Sequence, residues 1–308
     1  MPTALQATLA IVERHAALGL PSNTDAQATP ANDSPYAIAH AAARRLGFIQ
    51  ADAECVAQAW QRQSERTGRL DPDAWPCEAA DFGLRTSAGP QDFPAAPMNL
   101  GVYAVLPNAE WVGRMAHAGL STVQLRFKSA DAQAVQREIR AAIDAVAGTG
   151  AHLYINDHWQ DAIAAGAYGV HLGQEDLETL KPEDLARMRD AGVRLGLSTH
   201  GYAEMLRAEA VGPSYVALGA VFPTTLKAMA TPPQGLGRLG AYARLLHHRP
   251  LVAIGGIAAE HLSAVAATGV GSFAVVRAIT GADQPETAAH ALQKLWTDVG
   301  KAKNIAII

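Results

Sequence analysis

The sequence is poor in the features that define several large classes of protein. It holds only two cysteines, Cys55 and Cys77, which excludes a disulfide scaffold and a metal cluster made of cysteines, and we expect both to be free thiols. No segment reaches the roughly 18 consecutive apolar residues that span a bilayer. The first residues lack the basic stretch and the cleavage site of a signal peptide. We therefore expect a cytoplasmic protein that makes no contact with membranes.

Excess positive charge is also missing. The 25 lysines and arginines are outnumbered by 29 aspartates and glutamates, and the sequence pI is about 6.2. Because binding to nucleic acids depends largely on attraction to phosphates, we expect no nucleic-acid partner, while a local basic pocket remains open. The chain also lacks a P-loop, a paired-histidine zinc motif and the order of a catalytic Ser-His-Asp triad. Three common kinds of catalytic site are thereby set aside.

What the sequence does contain changes character near residue 97. Helical spacing predicts three helices in the first part, over about 3–18, 36–46 and 51–67. A polar, proline-punctuated loop separates the first two, at 21–35, and the stretches around Trp75 and from 87 to 97 have the composition of a linker. Residues 1–97 are therefore predicted to form a small, mainly helical N-terminal extension, for which no motif indicates a role.

Residues 98–300 follow a regular pattern, in which short apolar runs alternate with alanine-rich helical stretches. The pattern predicts these strands: Gly101–Leu106, Thr122–Leu125, His152–Ile155, Gly169–Leu172, Arg194–Leu197, Tyr215–Leu218, Leu251–Ile254 and Ser272–Val276. Eight strands with intervening helices favour an α/β fold of the (β/α)8 TIM-barrel type. An open Rossmann-like sheet is the alternative, although no GxGxxG follows the first strand. Residues 301–308 are predicted to be a tail.

A TIM barrel places the residues that follow its strands on one rim, and that rim carries the chemistry. After strand two, alternation directs Gln124, Arg126 and Lys128 to one side and Phe127 to the other. Two cations and an amide suit a polyphosphate ligand. The alternative is a solvated strand end with no ligand.

Carboxylates follow the next two strands. Asn156 and Asp157 end strand three, and Asp176 comes shortly after strand four. Each aspartate alone could be a cap, Asp157 of the helix that follows it and Asp176 of a turn before Lys181. On adjacent strands beside two cations, they are better explained as ligands of Mg²⁺, which proteins bind through one or two carboxylates together with substrate phosphate and water.

The segments after strands five and six offer hydroxyl and amino groups. Ser198 could bind a phosphate or cap a helix, and His200 could act as an acid or base or be structural. The loop over 219–237 is long for a compact barrel, which is typical of functional loops. We interpret it as a lid that presents three residues to an anionic substrate: Thr224, Thr225 and Lys227.

A second anion site is predicted after strands seven and eight. Gly255 and Gly256 would let backbone N–H groups approach a phosphate, and Val276 and Arg277 stand at the end of the last strand. A simple tight turn is the alternative for the glycines. Two anion sites on one rim indicate a reaction between a pyrophosphate ester and a phosphorylated acceptor, with dehydration or isomerisation of sugar phosphates as alternatives.

Six ordered motifs resemble those of one known family. They are QLRFK, LYINDHWQDAIAAGAYGVHLGQED, GLSTH, GAVFPTTLK with the downstream PPQGL, AIGGI and VVRAI. Over about residues 99–293 the chain resembles thiamine-phosphate synthase, also called thiamin-phosphate pyrophosphorylase. The resemblance implies a TIM barrel that uses Mg²⁺ and two small phosphorylated substrates. These are 4-amino-2-methyl-5-hydroxymethylpyrimidine diphosphate and 4-methyl-5-(2-phosphoethyl)thiazole, or its carboxylated form, and the products are thiamine phosphate and pyrophosphate.

The resemblance also implies a role for each rim residue. Asp157 and Asp176 would be the Mg²⁺ ligands. The catalytic residues would be Arg126, Lys128, Ser198 and Lys227. The substrate contacts would be these four together with Gln124, Asn156, Thr224, Thr225, Gly255, Gly256, Val276 and Arg277. The family mechanism is dissociative, in that pyrophosphate leaves before the thiazole nitrogen attacks the pyrimidine methylene.

Three positions depart from the family pattern. Phe127 stands where the family usually has a glutamate, Arg277 stands where a serine is commoner, and the second lid threonine, Thr225, is shifted by one residue. Two other functions stay open. One is a related thiazole tautomerase with His200 as its acid or base, and the other is a phosphate-binding barrel without catalysis. The oligomeric state is open too, with a homodimer as the candidate.

Overall fold

The computed structural model of the protein describes residues 2–21, 24–87, 89–224 and 231–305, with the backbone alone for 302–305. Within these residues, eight parallel strands pair in sequence order and close into a barrel. They are β1 (Gly101–Leu106), β2 (Thr122–Leu125), β3 (His152–Asn156), β4 (Gly169–Leu172), β5 (Arg194–Thr199), β6 (Tyr215–Leu218), β7 (Leu251–Ala253) and β8 (Ser272–Val275). β8 pairs with β1 to close the ring. The predicted TIM barrel, preceded by a helical region, is confirmed.

Helices precede the barrel and surround it. The N-terminal region contains α1 (Ala4–Arg14), α2 (Pro35–Arg45) and α3 (Gln50–Thr67), with short 3-10 helices at Ala16–Leu18 and Ala79–Phe82. The barrel helices are α4 (Ala109–His117), α5 (Ala132–Val146), α6 (Trp159–Ala165), α7 (Gln174–Thr179), α8 (Pro182–Asp190), α9 (Tyr202–Val211), α10 (Gly235–Leu245), α11 (Leu262–Ala267), α12 (Arg277–Thr280) and α13 (Pro285–Ile305). A further 3-10 turn lies at Ala259–His261.

Side chains along each strand alternate between the barrel interior and the layer between strands and helices. In β1, Val102, Ala104 and Leu106 join the large core beneath the helices, whereas Tyr103 and Val105 belong to a second cluster inside the barrel. This alternation follows from the period of two along a strand. It fixes which residues of each strand can reach the rim from inside.

Tyrosine rings fill the barrel interior, contributed by Tyr103, Tyr154 and Tyr215. Tyr154 fits because Gly169, on the neighbouring strand, has no side chain, and a Cβ there would lie 2.5 Å from the tyrosine ring. Gly196 makes the same room for Tyr215. These rings fill the barrel interior, so a ligand at the rim would rest on packed side chains and not enter a channel.

The N-terminal region packs against α9 and α10 of the barrel. Trp75 is buried, and its indole N–H donates a 2.9 Å hydrogen bond to the hydroxyl of Tyr202. The ring of Tyr202 also packs on Phe48 and Phe82, with centroid distances of 5.9 and 5.2 Å, and meets Tyr242 edge-on at 4.9 Å. Trp75 is therefore part of a shared aromatic core. The linker predicted around it was wrong, because local composition does not show what a side chain packs against.

Asp52, on α3, caps a helix of the barrel from outside it. The residue before α9 is Gly201, which has no side chain to offer as a cap, and Asp52 Oδ1 accepts a 2.9 Å hydrogen bond from the backbone N–H of Ala203. Asp52 is only 4% exposed. Burial raises its pKa to about 6, while that N–H and the charge of Arg238 oppose the rise. The first turn of α9 is thus completed by the N-terminal region.

Replacing Asp52 by asparagine should remove a pH dependence of stability. Since the pKa of Asp52 in the folded protein lies above its unfolded value, its ionisation costs stability as pH rises from about 4 through 6. Asparagine cannot ionise and can still accept the bond from Ala203, so we expect Asp52→Asn to gain about 2–3 kcal/mol relative to wild type between pH 4 and 7.5. Urea unfolding of both proteins across this range measures the difference. A difference that does not change with pH would contradict the assignment.

The segment that precedes β1 is hydrogen-bonded to the end of the barrel at which the strands begin, here called the lower end. The backbone N–H of Phe93 donates to the carbonyl of Gly212 at 2.8 Å, and the hydroxyl of Ser214 donates to the carbonyl of Pro94 at 2.6 Å. Both bonds lie beside the start of β6. The N-terminal region is therefore attached to the barrel at two places, the α9–α10 face and this lower end.

Three further expectations can be compared with the structure. Cys55 and Cys77 are free thiols, as predicted. None of the helices in the described part of the chain combines the length and the apolar character needed to cross a bilayer. The last helix, α13, continues to Ile305 and so passes the predicted start of the tail at residue 301.

Candidate active site

The carboxyl ends of β2 and β3 bring an amide pair and a cation to the rim. Gln124 is buried, and its Nε2 donates a 2.8 Å hydrogen bond to Oδ1 of Asn156. Arg126 follows β2, where its backbone N–H is bonded to the carbonyl of Leu106 at 2.8 Å. Its partly exposed guanidinium finds no hydrogen-bond partner among the residues that the structure describes. Phe127 packs against the core outside the barrel, on the side predicted for it.

Asp157 lies in the turn directly after β3. Its φ of 65° is in the left-handed region, which aspartate tolerates better than most residues. One carboxylate oxygen, Oδ2, is 2.8 Å from Nζ of Lys128. Helix α6 begins two residues later, at Trp159, with His158 in the capping position. Asp157 is therefore not the helix cap that the sequence allowed as an alternative.

Asp176 occupies the first turn of α7. Its Oδ2 accepts a 3.0 Å hydrogen bond from the backbone N–H of Gly173, so it caps its own helix and not a later turn. Burial raises the pKa of this carboxyl group; the Gly173 N–H opposes the rise and the negative charge of Asp157 adds to it. The two carboxylates are therefore neighbours whose charges repel. A cation placed between them would remove that repulsion.

Ser198 stands at the rim at one end of a hydrogen-bonded chain through the barrel interior. β5 extends to Thr199, so Ser198 lies within a strand and does not cap a helix. Its Oγ is 2.8 Å from Nε2 of His171, and Nδ1 of that ring is 2.7 Å from the hydroxyl of Tyr215. Tyr215 is in turn 2.7 Å from the hydroxyl of Tyr103. The position of the serine hydroxyl is thus fixed from below.

His171 is a site residue that the sequence analysis did not single out. Burial lowers the pKa of its imidazole to about 4, against the opposing effect of the negative charge on Asp157. The ring is therefore neutral at pH 7, with one nitrogen as donor and the other as acceptor. A signal for it did exist: Val170 and Leu172 of β4 face the helices, so a histidine between them has to point into the barrel.

Gln174 is a second residue that was missed, and His200 has a structural partner. Gln174 is buried, and its Nε2 donates to the carbonyl of Ser198 at 2.8 Å, which adds a second support to the serine. Nδ1 of His200 is 2.7 Å from Oε2 of Glu204, and the backbone N–H of His200 donates to the same oxygen. The histidine is therefore held by the first turn of α9.

The turn after β7 has the geometry of an anion site. Gly255 and Gly256 have φ values of 102° and 66°, which favour glycine. A Cβ on Gly255 would lie 2.5 Å from that of Ala220, and one on Gly256 would lie 2.6 Å from the carbonyl oxygen of Pro223. In the described part of the chain, the N–H groups of these two glycines have no acceptor. The turn can therefore offer both to a ligand.

The remaining predicted residues lie around the same rim or outside the described residues. Thr224 is partly exposed at the end of the described segment that follows β6. Val276 packs on the cluster inside the barrel, and Arg277 is exposed at the start of α12. Thr225 and Lys227 lie outside the described residues. Their predicted contacts stay predictions.

Comparison with known proteins decides the family. A sequence profile of the family described as thiamine monophosphate synthase matches residues 103–279, which is more than half of the chain. The chain belongs to the thiamine monophosphate synthase family. The matched range begins within β1 and ends in α12, so it includes all or part of each of the eight strands, and the N-terminal region lies outside it.

Individual thiamine-phosphate synthases agree with this assignment. The protein of Neisseria meningitidis serogroup B is 53% identical over 204 residues, which cover 66% of this chain and 98% of that protein. The protein of Serratia proteamaculans is 50% identical over 209 residues, 68% and 96% of the two chains. A thiamine phosphate pyrophosphorylase from Pyrococcus furiosus, 28% identical, superposes with a TM-score of 0.57 over 66% of this chain and 98% of its own. The resemblance drawn from the motifs is confirmed, as is the predicted class of enzyme, a transferase of thiamine biosynthesis.

Proposed function

We propose that this thiamine monophosphate synthase family member joins 4-amino-2-methyl-5-hydroxymethylpyrimidine diphosphate to 4-methyl-5-(2-phosphoethyl)thiazole, or its carboxylated form. The observation that carries the proposal is that two separate groups of residues suited to binding anions lie on one rim. One is the cation and carboxylate cluster after β2, β3 and β4, and the other is the glycine turn after β7. A diphosphate at the first and a phosphomonoester at the second would place donor and acceptor across the mouth of the barrel.

Asp157 and Asp176 would hold Mg²⁺ in this proposal. Their oxygens are the hard ligands that Mg²⁺ prefers, and two carboxylates suffice when substrate phosphate and water complete its coordination. Burial raises the pKa of Asp176 and the charge of Asp157 adds to the rise; a bound cation would relieve the second of these effects. When bound, the ion would supply positive charge to the leaving pyrophosphate. Lys128, paired with Asp157, would stand beside the same group.

The reaction breaks the bond between the pyrimidine methylene and the diphosphate oxygen, and the electron pair leaves with pyrophosphate. The thiazole nitrogen then forms its bond to the methylene carbon. Negative charge grows on the leaving group in the transition state, so Arg126 and Lys128 would stabilise that state more than the bound substrate. Lys227 would act on the same leaving group, as its motif predicts, and the amides of Gln124 and Asn156 would orient the pyrimidine.

Ser198 would donate a hydrogen bond to the leaving pyrophosphate. This requires that its own proton stay available, so we assign Nε2–H of neutral His171 as the donor to the serine oxygen. The hydroxyl of Tyr215 then donates to Nδ1 and accepts from Tyr103. Under this assignment Ser198, His171 and Tyr215 each use one donor and one acceptor, and Tyr103 donates only. The proton of the Ser198 hydroxyl is left for the anion.

The isomerase alternative gains no support from the geometry. It needs a histidine that can move a proton to and from a substrate. In His200, Nδ1 and the backbone N–H contact the carboxylate of Glu204, and Nε2 is the ring nitrogen left for that role, so the assay below also decides this alternative. A barrel that binds phosphates without catalysis is separated from the transferase by assay alone.

The test is a synthesis assay with the purified protein. Both phosphorylated substrates and Mg²⁺ should give thiamine phosphate and pyrophosphate in equal amounts, measured by chromatography and by a coupled pyrophosphatase. Reactions without either substrate, or with a chelator in place of Mg²⁺, are the controls. Binding of both substrates with no product would leave the non-catalytic alternative, and conversion of the carboxylated thiazole phosphate to an isomer would indicate the tautomerase.

The proposal extends to organisation and location. The extension ends near residue 97, the catalytic barrel runs from residue 98 to the end of α13 at Ile305, and the enzyme works in the cytoplasm. A homodimer is the oligomeric state to test first, by sedimentation of the full chain.

A further inference from the structure

Arg238, in the first turns of α10, is a cation buried at the junction of the N-terminal region and the barrel. The residue is only 2% exposed. Nε donates to the carbonyl of Leu18 at 2.9 Å, and Nη2 donates to the carbonyl of Leu46 at 3.1 Å. The guanidinium carbon lies 3.7 Å from the ring centroid of Phe48. A buried charge is costly unless its hydrogen bonds are made, so the N-terminal region supplies what keeps Arg238 in place.

Arg238 in turn holds the side chain of Gln234, the residue before α10. Nη1 of Arg238 donates to Oε1 of Gln234 at 3.1 Å, and the hydroxyl of Tyr242 donates to the same oxygen at 3.1 Å. Nε2 of Gln234 donates to the carbonyl of Pro232 at 2.8 Å. Both polar atoms of the Gln234 side chain are therefore hydrogen-bonded, which restrains its position. Its backbone N–H is 2.8 Å from the carbonyl oxygen of Ala220.

The backbone after β6 is held between this residue and the turn after β7. Gly235 N donates to Val221 O at 3.0 Å on one side. On the other side, Val221 N donates to Ile254 O and Phe222 N donates to Gly255 O, each at 2.9 Å. These bonds join three backbone segments side by side: the start of α10 at Gln234–Gly235, the segment Ala220–Phe222 in the middle, and the turn at Ile254–Gly255. A displacement of the first segment therefore shifts the glycine turn through the middle one.

The segment after β6 packs so closely on the two glycines that it cannot shift without moving them. The close approach of Ala220 to Gly255 and of Pro223 to Gly256 would not admit even one additional carbon atom at either glycine. Backbone N–H groups bind an anion only when they are held at the right place, since the hydrogen bond weakens steeply with distance and angle. The glycine turn thus depends on the segment beside it.

We propose that Arg238 is a positioning residue for the phosphate subsite at Gly255 and Gly256, and that the carbonyls of Leu18 and Leu46 give the N-terminal region this supporting role in catalysis. The inference rests on the proposed function, because it assigns that subsite to the acceptor's phosphate. The diphosphate cluster after β2, β3 and β4 lies on other strands and shares none of these bonds. Lys227, assigned above to the leaving pyrophosphate, follows the segment after β6 in the sequence and would act in the transition state. Loss of the support should therefore raise the KM for the acceptor and not that for the donor, and any effect through Lys227 falls on kcat.

The test is the kinetics of Arg238→Met, with each substrate varied in turn. Methionine keeps the apolar stem but removes three hydrogen bonds, so we expect the KM for the thiazole phosphate to rise roughly tenfold. The KM for the pyrimidine diphosphate should stay within about twofold of wild type. Arg66→Met is the matched control, since Arg66 bonds Asp81 within the N-terminal region at 2.6 Å. It should leave both values unchanged.

Tyr242→Phe decides the matter if Arg238→Met does not fold. It removes one hydroxyl from the bonds to Gln234 and keeps the ring, so its KM for the thiazole phosphate should rise about threefold. A selective rise in either variant supports the proposal. Equal rises for both substrates, or none in a folded variant, overturn it. Wild-type protein that makes no thiamine phosphate would instead remove the proposed function, before any variant is compared.

Discussion

Asp176→Asn is expected to lower kcat at least about 100-fold and to raise the Mg²⁺ concentration needed for half-maximal rate. Asparagine has the same shape, and its side-chain oxygen can still accept the bond from the N–H of Gly173 that caps α7. What is lost is the negative charge beside Asp157, which the proposal assigns to Mg²⁺ binding. The measurement is the initial rate as a function of Mg²⁺ concentration, with both substrates saturating.

Glu175→Gln is the matched control for that experiment. Glu175 is the preceding residue of the same helical turn and is exposed, so its neutralisation changes the net charge equally without touching the cluster. Its rate and Mg²⁺ dependence should match those of wild type. Because the pKa of Asp176 is raised by burial and by Asp157, asparagine should not destabilise the fold, and thermal unfolding should confirm this. An Asp176→Asn protein with the wild-type Mg²⁺ response would remove the metal assignment.

The barrel could be predicted from the sequence because each strand is a short apolar run with polar residues, glycines or prolines near its two ends. The bounds of β1, β2, β4 and β6 match the predicted runs, and β3 and β5 continue into the polar residues Asn156 and Thr199. Those extensions were missed because polar residues at a strand end resemble a turn. Pairing with the neighbouring strands supplies the hydrogen bonds that keep them extended.

The candidate site was predicted in part. What the sequence did not predict are hydrogen bonds between residues far apart in the chain. Alternation and strand order were enough to place Lys128 near Asp157, and the structure joins them at 2.8 Å. The hydrogen-bonded chain from Tyr103 to Ser198 crosses the barrel and joins strands far apart in sequence. No local pattern marks such a chain. His171 could have been found from its inward-facing position, but its partners could not.

The N-terminal region shows the same limit more strongly. Two of its three helices were predicted to within a residue, α2 as 36–46 against Pro35–Arg45 and α3 as 51–67 against Gln50–Thr67. The first was predicted too long, as 3–18, because α1 ends at Arg14 and a 3-10 helix follows it. Helical spacing reports that a face is buried and does not report what covers it. Asp52 reads as an ordinary polar residue of an amphipathic helix, whereas the structure makes it the cap of α9. The role of the region emerges only from its contacts.

Deleting residues 2–97 should therefore leave a barrel that is insoluble, or whose melting temperature falls by more than about 10 °C. The deletion would expose the buried rings of Tyr202 and Tyr242, remove the Asp52 cap of α9 and leave the guanidinium of Arg238 without two of its acceptors. Each of these losses costs on the order of 1–3 kcal/mol, and several together exceed a large part of a typical domain's stability. Expression, solubility and thermal unfolding of the residue 98–308 chain measure the effect.

The control for this deletion is the relative from Neisseria meningitidis serogroup B. It matches this chain over 98% of its own length, which is about the size of the barrel, so a barrel of this family can exist without such a region. Expressed in parallel, it should be soluble, which would place the defect of the truncated chain on its own exposed α9–α10 face. Supplying residues 2–97 as a separate polypeptide should then restore solubility, because the lost contacts are non-covalent. A truncated chain as stable and active as the full one would show that this face does not need its cover.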